Sequence, residues 1–209
     1  MKKTAILAAV FFCLWQIPAA ANGQMDYLAI ENRIQDEWTE YTYSYPQVTR
    51  SESRVTEQRL NGFLREYSQS TALNARLLAK KEARHIKGQT TFAVCRNDNA
   101  FFSLVFSSLV DGKDFKKGFV FLPQNGVQLR LEDLFSSPAF PAVLEQAIAG
   151  WREALGVWEE LSTLQDFYLT GEELVLLFPS PDGQRTLSVS IPLKDLSGIL
   201  SESLLSFVS

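Results

Sequence analysis

Few residues in this sequence have side chains that could carry a covalent reaction. The chain contains one histidine, His85, and two cysteines, Cys13 and Cys95. A thiol nucleophile needs a base such as histidine, so Cys95 and His85 form the pairing to consider. Two single residues impose no diagnostic spacing, however. Cys95 also ends the strand-like run 90–95, which favours the simpler interpretation of a buried, small apolar side chain.

Metal and carboxylate chemistry leave one alternative open. One histidine is too few for the usual zinc site, and no Cys-x-x-Cys motif compensates, so we expect no metal and no other cofactor. A phosphate-binding glycine loop and a Gly-x-Ser-x-Gly motif are both missing. Paired acids such as Glu159–Glu160 and Glu172–Glu173 could hydrolyse a glycan. Their predicted positions, a helix end and a turn, are where acids are usually solvated.

The N-terminus has the three parts of a secretory signal. Lys2 and Lys3 precede an apolar run over residues 5–17, and Ala19 and Ala21 form a small-x-small cleavage site. We predict a signal peptide at 1–21 that is cut between Ala21 and Asn22. The alternative is a retained anchor, but the run is shorter than the roughly 20 residues that span a bilayer. The signal predicts a periplasmic or secreted protein without a membrane span.

Composition predicts a folded domain with an acidic surface. Loss of residues 1–21 leaves 188 residues, and loss of Lys2 and Lys3 changes the formal net charge from −4 to −6. A hydrophobic content of 46% with 15 phenylalanines is ample for a packed core. An acidic balance argues against nucleic acid as a partner, since its binders carry a basic surface. It also argues against simple adhesion to anionic lipid or wall polymers.

Three tyrosines near the start of the domain are the candidate ligand-binding residues. After a flexible polar lead-in over residues 22–36, the aromatic and β-branched run 38–45 predicts a strand bounded by Pro46. Tyr41, Tyr43 and Tyr45 alternate with Thr42 and Ser44, which places the three rings on one face of that strand. This face either packs against a helix or forms an exposed aromatic platform that binds a ligand. Packing is the simpler of the two.

A long helix is predicted after Ser53. Its apolar stripe begins at Leu60, Phe63, Leu64 and Tyr67, is open to interruption at residues 68–71, and resumes at Leu73, Leu77 and Leu78. Basic residues collect near its end, where positive charge complements the helix dipole. They are Lys80, Lys81, Arg84 and His85. We interpret them as a solvated helix terminus.

The rest of the chain predicts strands, one strong helix and a terminal hairpin. Strands are expected near 92–94, 102–107 and 119–122, with turns at 97–99 and 111–114. The helix has an apolar stripe at Phe140, Val143, Leu144, Ala147, Ile148, Trp151, Leu155 and Trp158, which we expect to be buried. The hairpin pairs 174–178 with 187–191, and an amphipathic segment follows from Leu193. The fold class is therefore α+β, mainly antiparallel sheet strands with two or three packed amphipathic helices around one core.

Several of these segments, in this order, resemble a known pair of extracytoplasmic domains. The C-terminal half is similar to the RsiV-type domain of extracytoplasmic anti-sigma receptors. The N-terminal half resembles the PdaC-type domain found beside it in peptidoglycan deacetylases. The matching segments are Tyr45-Pro46-Gln47-Val48, Leu60-Asn61-Gly62-Phe63, Asn125-Gly126, residues 131–135, 166–170, 173–178 and 189–193. The resemblance implies a PdaC-like half at 37–122 and an RsiV-like half at 123–209.

This resemblance implies a function in binding rather than in catalysis. It points to an exported cell-envelope binding or sensing module whose partner is a lysozyme-like protein or peptidoglycan. The alternatives are a carboxylate-dependent glycan hydrolase and a structural accessory domain. One departure concerns the segment between the middle strands. Family members carry a Gly-Gly-Ala-His-like motif there, whereas residues 107–114 contain no histidine.

Overall fold

The computed structural model describes residues 24–51, 53–155 and 166–205. Its strands are β1 (Asp26–Gln35), β2 (Thr39–Arg50), β3 (Ile86–Asn97), β4 (Phe102–Val110), β5 (Lys113–Phe121), β6 (Phe167–Leu169), β7 (Glu173–Pro179) and β8 (Thr186–Pro192). Its helices are α1 (Arg54–Glu82), α2 (Phe140–Leu155) and α3 (Glu202–Leu205), with 3-10 turns at Leu131–Leu134 and Leu193–Leu196. The predicted cleavage site, Trp158 and Glu159–Glu160 lie outside these residues.

The described strands form two sheets. The first has the order β1-β2-β3-β4-β5 and the second the order β6-β7-β8. All pairs are antiparallel except β2–β3, which is parallel because α1 carries the chain back between these two strands. The α+β class with mainly antiparallel strands is confirmed.

The expectation of a flexible lead-in over residues 22–36 is wrong for most of that segment. Residues 26–35 form β1, which pairs with β2 along its whole length. Ile30 and Ile34 alternate with the exposed Glu31, Arg33 and Gln35. As an edge strand, β1 buries only one side of its side-chain pattern, which made the segment look polar. Pro46 does not end β2 either. The pairing of β2 with β3 stops at Tyr43, so none of the described strands needs an N–H from residue 46 on that side.

Helix α1 is continuous through its polar middle. Ser53 caps its start by accepting a hydrogen bond from the Thr56 N–H at 3.1 Å, and Ala83 ends it in the left-handed conformation with φ of 49°. The hydroxyl groups of Ser70 and Thr71 donate to the Tyr67 carbonyl at 2.9 and 3.0 Å. The hydrogen-bonding groups of these side chains are therefore paired within the helix and do not interrupt it.

The face that α1 buries changes along its length. The first half inserts Leu60 and Leu64, but the second half inserts small residues, Ser68, Ala72, Ala75 and Ala79. The expected continuation through Leu73, Leu77 and Leu78 is wrong, since these side chains are exposed. Large tyrosines on β2 fill the space under this half of the helix, which leaves room only for small helix residues.

The two faces of the five-stranded sheet have different partners. On one face Tyr41, Phe102 and Phe106 pack under α1. On the opposite face Val105 and Cys95 meet the second sheet through Val175, Leu177 and Tyr168. At Gly118 the sheets approach so closely that a Cβ would lie 2.2 Å from the Phe167 carbonyl oxygen. The Leu169 N–H donates to the buried Ser103 hydroxyl at 2.8 Å and links the sheets further.

The C-terminal half has its own apolar cluster. Leu144 and Ile148 of α2 pack on the second sheet together with buried leucines of the terminal segment, namely Leu193, Leu196, Leu200 and Leu204. β4 and β5 lie between this cluster and the one under α1, so the two halves share strands rather than a single core. Trp151 is 54% exposed and Ala147 is also exposed, so the expectation that they are buried is wrong. The proposed boundary between residues 122 and 123 stays a prediction.

Candidate functional site

The three tyrosines of β2 lie on one face, as predicted, but that face is covered. Tyr41, Tyr43 and Tyr45 have exposed fractions of 0, 9 and 8% beneath α1. The Tyr41 ring also packs over Gly88, where a Cβ would lie 2.5 Å from the ring. Packing against a helix is therefore the outcome, and the exposed aromatic platform on which the ligand-binding hypothesis depended does not form.

The Tyr41 hydroxyl belongs to a buried chain of hydroxyl groups. Tyr41 Oη lies 2.8 Å from Thr90 Oγ1, which lies 2.9 Å from Ser108 Oγ. Burial raises the pKa of the Tyr41 phenol, which therefore stays protonated at neutral pH. These three hydroxyl groups link β2, β3 and β4 across the covered face, and their hydrogen bonds satisfy polar groups that the fold buries.

His85 and Cys95 lie at opposite ends of β3. Ten residues of extended chain separate them, which corresponds to about 30 Å at roughly 3.3 Å per residue. Cys95 lies at a register shift between Val94 and Arg96 and packs beside Tyr168. Burial raises the pKa of the Cys95 thiol. The separation excludes a thiol–imidazole pair, and the raised pKa disfavours the reactive thiolate.

The structure reveals one ionisable cluster that the sequence did not indicate. Asp166, just before β6, forms an ion pair with Lys117 of β5. Burial beneath the aromatic rings, with a smaller contribution from the Asp166 charge, raises the pKa of Tyr67 to about 12. Tyr67 is therefore a hydrogen-bond donor rather than a base at neutral pH. The three members of this cluster, Tyr67, Lys117 and Asp166, come from distant parts of the chain, so no local sequence pattern could have shown them together.

The uncovered half of the first sheet presents polar side chains to solvent. We call this surface the open face and define it by Glu31 and Arg33 of β1, Glu40, Thr42 and Ser44 of β2, Lys87, Gln89 and Thr91 of β3, and Ser107 and Leu109 of β4. These residues alternate with those that pack under α1. Period-2 alternation on β2 thus places Tyr41, Tyr43 and Tyr45 in the core and Glu40, Thr42 and Ser44 on the open face.

A cleft of about 640 Å³ lies at one end of the open face. It is lined by His85, Lys87, Gly88, Gln89, Leu109, Asp111 and Gly112. The start of β3 forms one wall, and the β4–β5 turn forms the other. That turn is tight because Asp111 and Gly112 both adopt positive φ values, 53° and 79°. The lining offers ammonium, imidazole and amide donors, a carboxylate acceptor and the half-exposed Leu109.

Ion pairs hold the rim of this cleft. Arg84 pairs with Asp111 at 2.5 Å and also with Glu82, which ties the end of α1 to the turn. Glu40 pairs with Lys87 at 3.1 Å and with Arg33 at 2.7 Å. The hydrogen bond and charge of Lys87, with a further contribution from Arg33, hold the pKa of Glu40 below its ordinary value. The basic residues near the end of α1 are all exposed, as expected for a solvated helix terminus.

The cleft has the chemistry of a hydrogen-bonding site. Lys87 in the cleft holds the pKa of Glu40 below its ordinary value, so Glu40 stays ionised, whereas a general acid needs a raised pKa. Glu172 is exposed in the β6–β7 turn, and Glu173 opens β7. Within residues 24–51, 53–155 and 166–205, no group of three His, Cys, Asp or Glu residues could hold a metal ion. No helix in that part of the chain is long and apolar enough to cross a membrane.

Comparison with known proteins gives a structural likeness. No family model and no curated protein matches the chain. A crystal structure of a DUF3298 family member from Bacteroides fragilis superposes with a TM-score of 0.62 and 11% identity, covering 90% of this chain and 99% of that one. A DUF3298 family protein from Pseudomonas aeruginosa gives a TM-score of 0.60 and 15% identity, covering 86% and 95%. At these identities the comparison shows that the chain has the fold of these DUF3298 proteins.

Proposed function

We propose that this chain is an exported binding or sensing module of the cell envelope, and that its partner contacts the cleft on the open face. The observation that carries the proposal is the lining of that cleft. Lys87, Gln89 and Asp111 offer hydrogen-bonding groups of both kinds without a pair of carboxyl groups suited to proton transfer. Such a surface suits recognition of a polar partner more than turnover of a substrate.

The fold supports the same class of function. Both structural neighbours belong to the DUF3298 family, and RsiV-like domains are related to that family. The sequence resemblance to the PdaC/RsiV-type pair therefore agrees with the fold. A lysozyme-like protein and peptidoglycan are the partners that the resemblance implies. The N-terminal signal-like segment supports export to the periplasm or the medium, with cleavage after Ala21.

Retention of the exported chain by immobilised lysozyme and by purified peptidoglycan tests the proposal. The double variant Lys87→Ala/Gln89→Ala removes two hydrogen-bonding groups from the cleft and should weaken retention at least about tenfold, as expected when a central polar contact is lost. The matched control, Gln69→Ala/Lys80→Ala, removes the same residue types from the exposed side of α1. It should leave retention unchanged.

Three outcomes would contradict the proposal. If neither lysozyme nor peptidoglycan retains the unaltered chain, both named partners are excluded. If the chain releases fragments from peptidoglycan, and Glu172→Gln or Glu173→Gln abolishes that release without unfolding the protein, the carboxylate hydrolase is the better description. Equal loss of retention in the cleft variant and the α1 control would place the contact elsewhere.

A further inference from the structure

The first sheet has one covered edge and one bare edge. At the β5 edge, the Asp114 N–H donates to the Gln184 carbonyl at 2.9 Å, and the Lys116 N–H donates to the Thr186 hydroxyl at 2.8 Å. At the β1 edge, β2 is the one strand among the described residues that pairs with β1. A ten-residue edge strand without proline is a template for a further strand.

The register of the β1–β2 hairpin shows which backbone groups of β1 point outward. The Asp36 N–H donates to the Thr39 carbonyl at 2.9 Å, which makes Asp36–Thr39 a hydrogen-bonded pair. Such pairs alternate along an antiparallel ladder, so Ile34, Asn32 and Ile30 direct their N–H and C=O groups toward β2. The alternate residues therefore direct theirs away from the sheet. They are Ala29, Glu31, Arg33 and Gln35.

The side chains around Asn32 are complementary to themselves. In Ile30-Glu31-Asn32-Arg33-Ile34, an apolar and then a charged residue precede Asn32, and the opposite charge and an equal apolar residue follow it. If a second β1 lies antiparallel with its own Asn32 opposite, each Glu31 faces Arg33 of the other copy, and each Ile30 faces Ile34. Opposite charges and apolar pairs directly across a ladder are both stabilising.

We propose that two copies of this chain associate through their β1 strands about a two-fold axis at Asn32, joining their five-stranded sheets into one. This register places every outward N–H and C=O from Ala29 to Gln35 opposite a partner. It forms about eight backbone hydrogen bonds, two for each facing pair of these four residues. The same patch serves both copies, as an isologous interface requires. The proposal does not depend on the partner proposed for the cleft.

The neighbouring elements leave room for this arrangement. Helix α1 packs mainly on β2 and also on β3, rather than on β1. The two β2 strands of the dimer are three strand spacings apart, or about 14 Å, which exceeds the roughly 8–10 Å that packed helices need. Arg33 already binds Glu40 of its own copy, and its guanidinium has enough N–H donors to donate to Glu31 of the second copy as well. Within the described residues Glu31 makes no ion pair, so it is free to provide that contact.

Sedimentation of the exported chain over a range of concentrations tests the association. We expect a reversible dimer of the unaltered chain. Glu31→Pro removes an outward N–H and leaves the bonds to β2 intact, so it should give a folded monomer. Glu31→Lys places like charges across both pairs and should raise the dimer dissociation constant at least about tenfold. Glu172→Lys makes the same charge change in a remote exposed turn and should leave the constant unchanged.

Disulfide trapping tests the register. In a Cys95→Ser background, Asn32→Cys places two thiols at a non-hydrogen-bonded pair, about 4.5 Å apart at Cα, where a disulfide can form. Gln35→Cys is the control, because its two copies lie about 20 Å apart in this register. We expect the Asn32→Cys variant to form a disulfide-linked dimer rapidly and the Gln35→Cys variant not to. A monomer at every concentration overturns the proposal, and so does a dimer that Glu31→Pro leaves intact. A monomer that binds an extended peptide along β1 would assign the edge to a different partner.

Discussion

The two faces of the five-stranded sheet are built from the same strands but differ in the burial and polarity of their side chains. Under α1 the face is rich in buried aromatic rings. Phe102 and Phe106 are fully buried, and Tyr67 packs edge-on against Phe119 with 5.0 Å between the ring centres. The opposite face is divided. The second sheet covers β5, part of β4 and the end of β3 near Cys95, and the remaining part, the open face, is polar.

This difference shows where function is to be sought. From Tyr41 to Tyr45 every second residue of β2 is a tyrosine, and these are the residues that attract attention in the sequence. Their rings belong to the core, whereas the less conspicuous Glu40, Thr42 and Ser44 between them face solvent. Burial ties the aromatic face to stability. We expect the open face to contribute little to stability, because its ion pairs are exposed to solvent.

The largest expected effect is the loss of an aromatic ring from the covered face. Phe106→Ala removes a fully buried ring that lies 4.8 Å from Tyr67, so unfolding free energy should fall by about 3–5 kcal/mol. Leu109→Ala is the matched control on the same strand, because Leu109 is 44% exposed on the open face. Its effect should be below about 1 kcal/mol. Urea unfolding of both variants measures the contrast, and equal losses would show that the two faces do not differ as described.

Gly118→Ala tests the covered part of the opposite face. The new Cβ would lie 2.2 Å from a backbone carbonyl oxygen, which cannot move aside as a flexible side chain could. We expect a loss of about 3 kcal/mol from overpacking. Gly171→Ala adds a methyl group where no atom lies within 4 Å and should be nearly neutral. Thermal unfolding distinguishes them, and tolerance of Gly118→Ala would mean that the sheets can separate at little cost.

Asn61→Ala tests how α1 holds the diverging end of β2. The Asn61 amide accepts from the Val48 N–H at 2.7 Å and donates to the Val48 carbonyl at 2.8 Å, in place of a neighbouring strand. Removing it leaves two backbone groups unpaired, which should destabilise the fold by about 2–3 kcal/mol. Asn74→Ala, on the exposed side of α1, should change stability by less than about 0.5 kcal/mol. Equal unfolding midpoints for the two variants would contradict this role.

Alkaline pH should weaken the covered face through Tyr67. Its pKa is raised from 10.0 to about 12, so the unfolded chain releases the phenol proton before the folded chain does. Stability is therefore full below pH 10 and falls as the pH rises toward 12, by about 2 kcal/mol for this group. Tyr67→Phe should flatten that part of the unfolding profile. An unchanged alkaline slope in Tyr67→Phe would place the effect on the other tyrosines.

The smallest expected effect belongs to the open face. Lys87→Ala removes the ion pair with Glu40, but the Lys87 side chain is 76% exposed. Such pairs contribute little, so unfolding free energy should change by less than about 0.5 kcal/mol. A loss comparable to that of Phe106→Ala would mean that the open face also holds the fold together.

Much of the architecture was predictable because it follows from local chemistry. The start of α1 after Ser53 and the terminal hairpin lie where their residues indicate, and the turns after Asn97 and at residues 111–112 lie within or beside the predicted ones. β1 was missed because an edge strand buries only part of one side. The exposure of Leu73, Leu77 and Leu78 was mispredicted because a helical pattern does not show which of two apolar sides meets the sheet. The cleft and the Tyr67–Asp166–Lys117 cluster join residues distant in sequence, which no spacing rule detects.

The sequence by itself determined the alternation of the β2 tyrosines, the amphipathic helices and the α+β class, because period and turn chemistry are local properties. Only the tertiary structure decided which side of each strand became core. Helix α1 covers one face of the first sheet and the second sheet covers part of the other, so burial follows from contacts between distant segments. The same contacts leave the cleft and the β1 edge exposed, where we propose that partners bind.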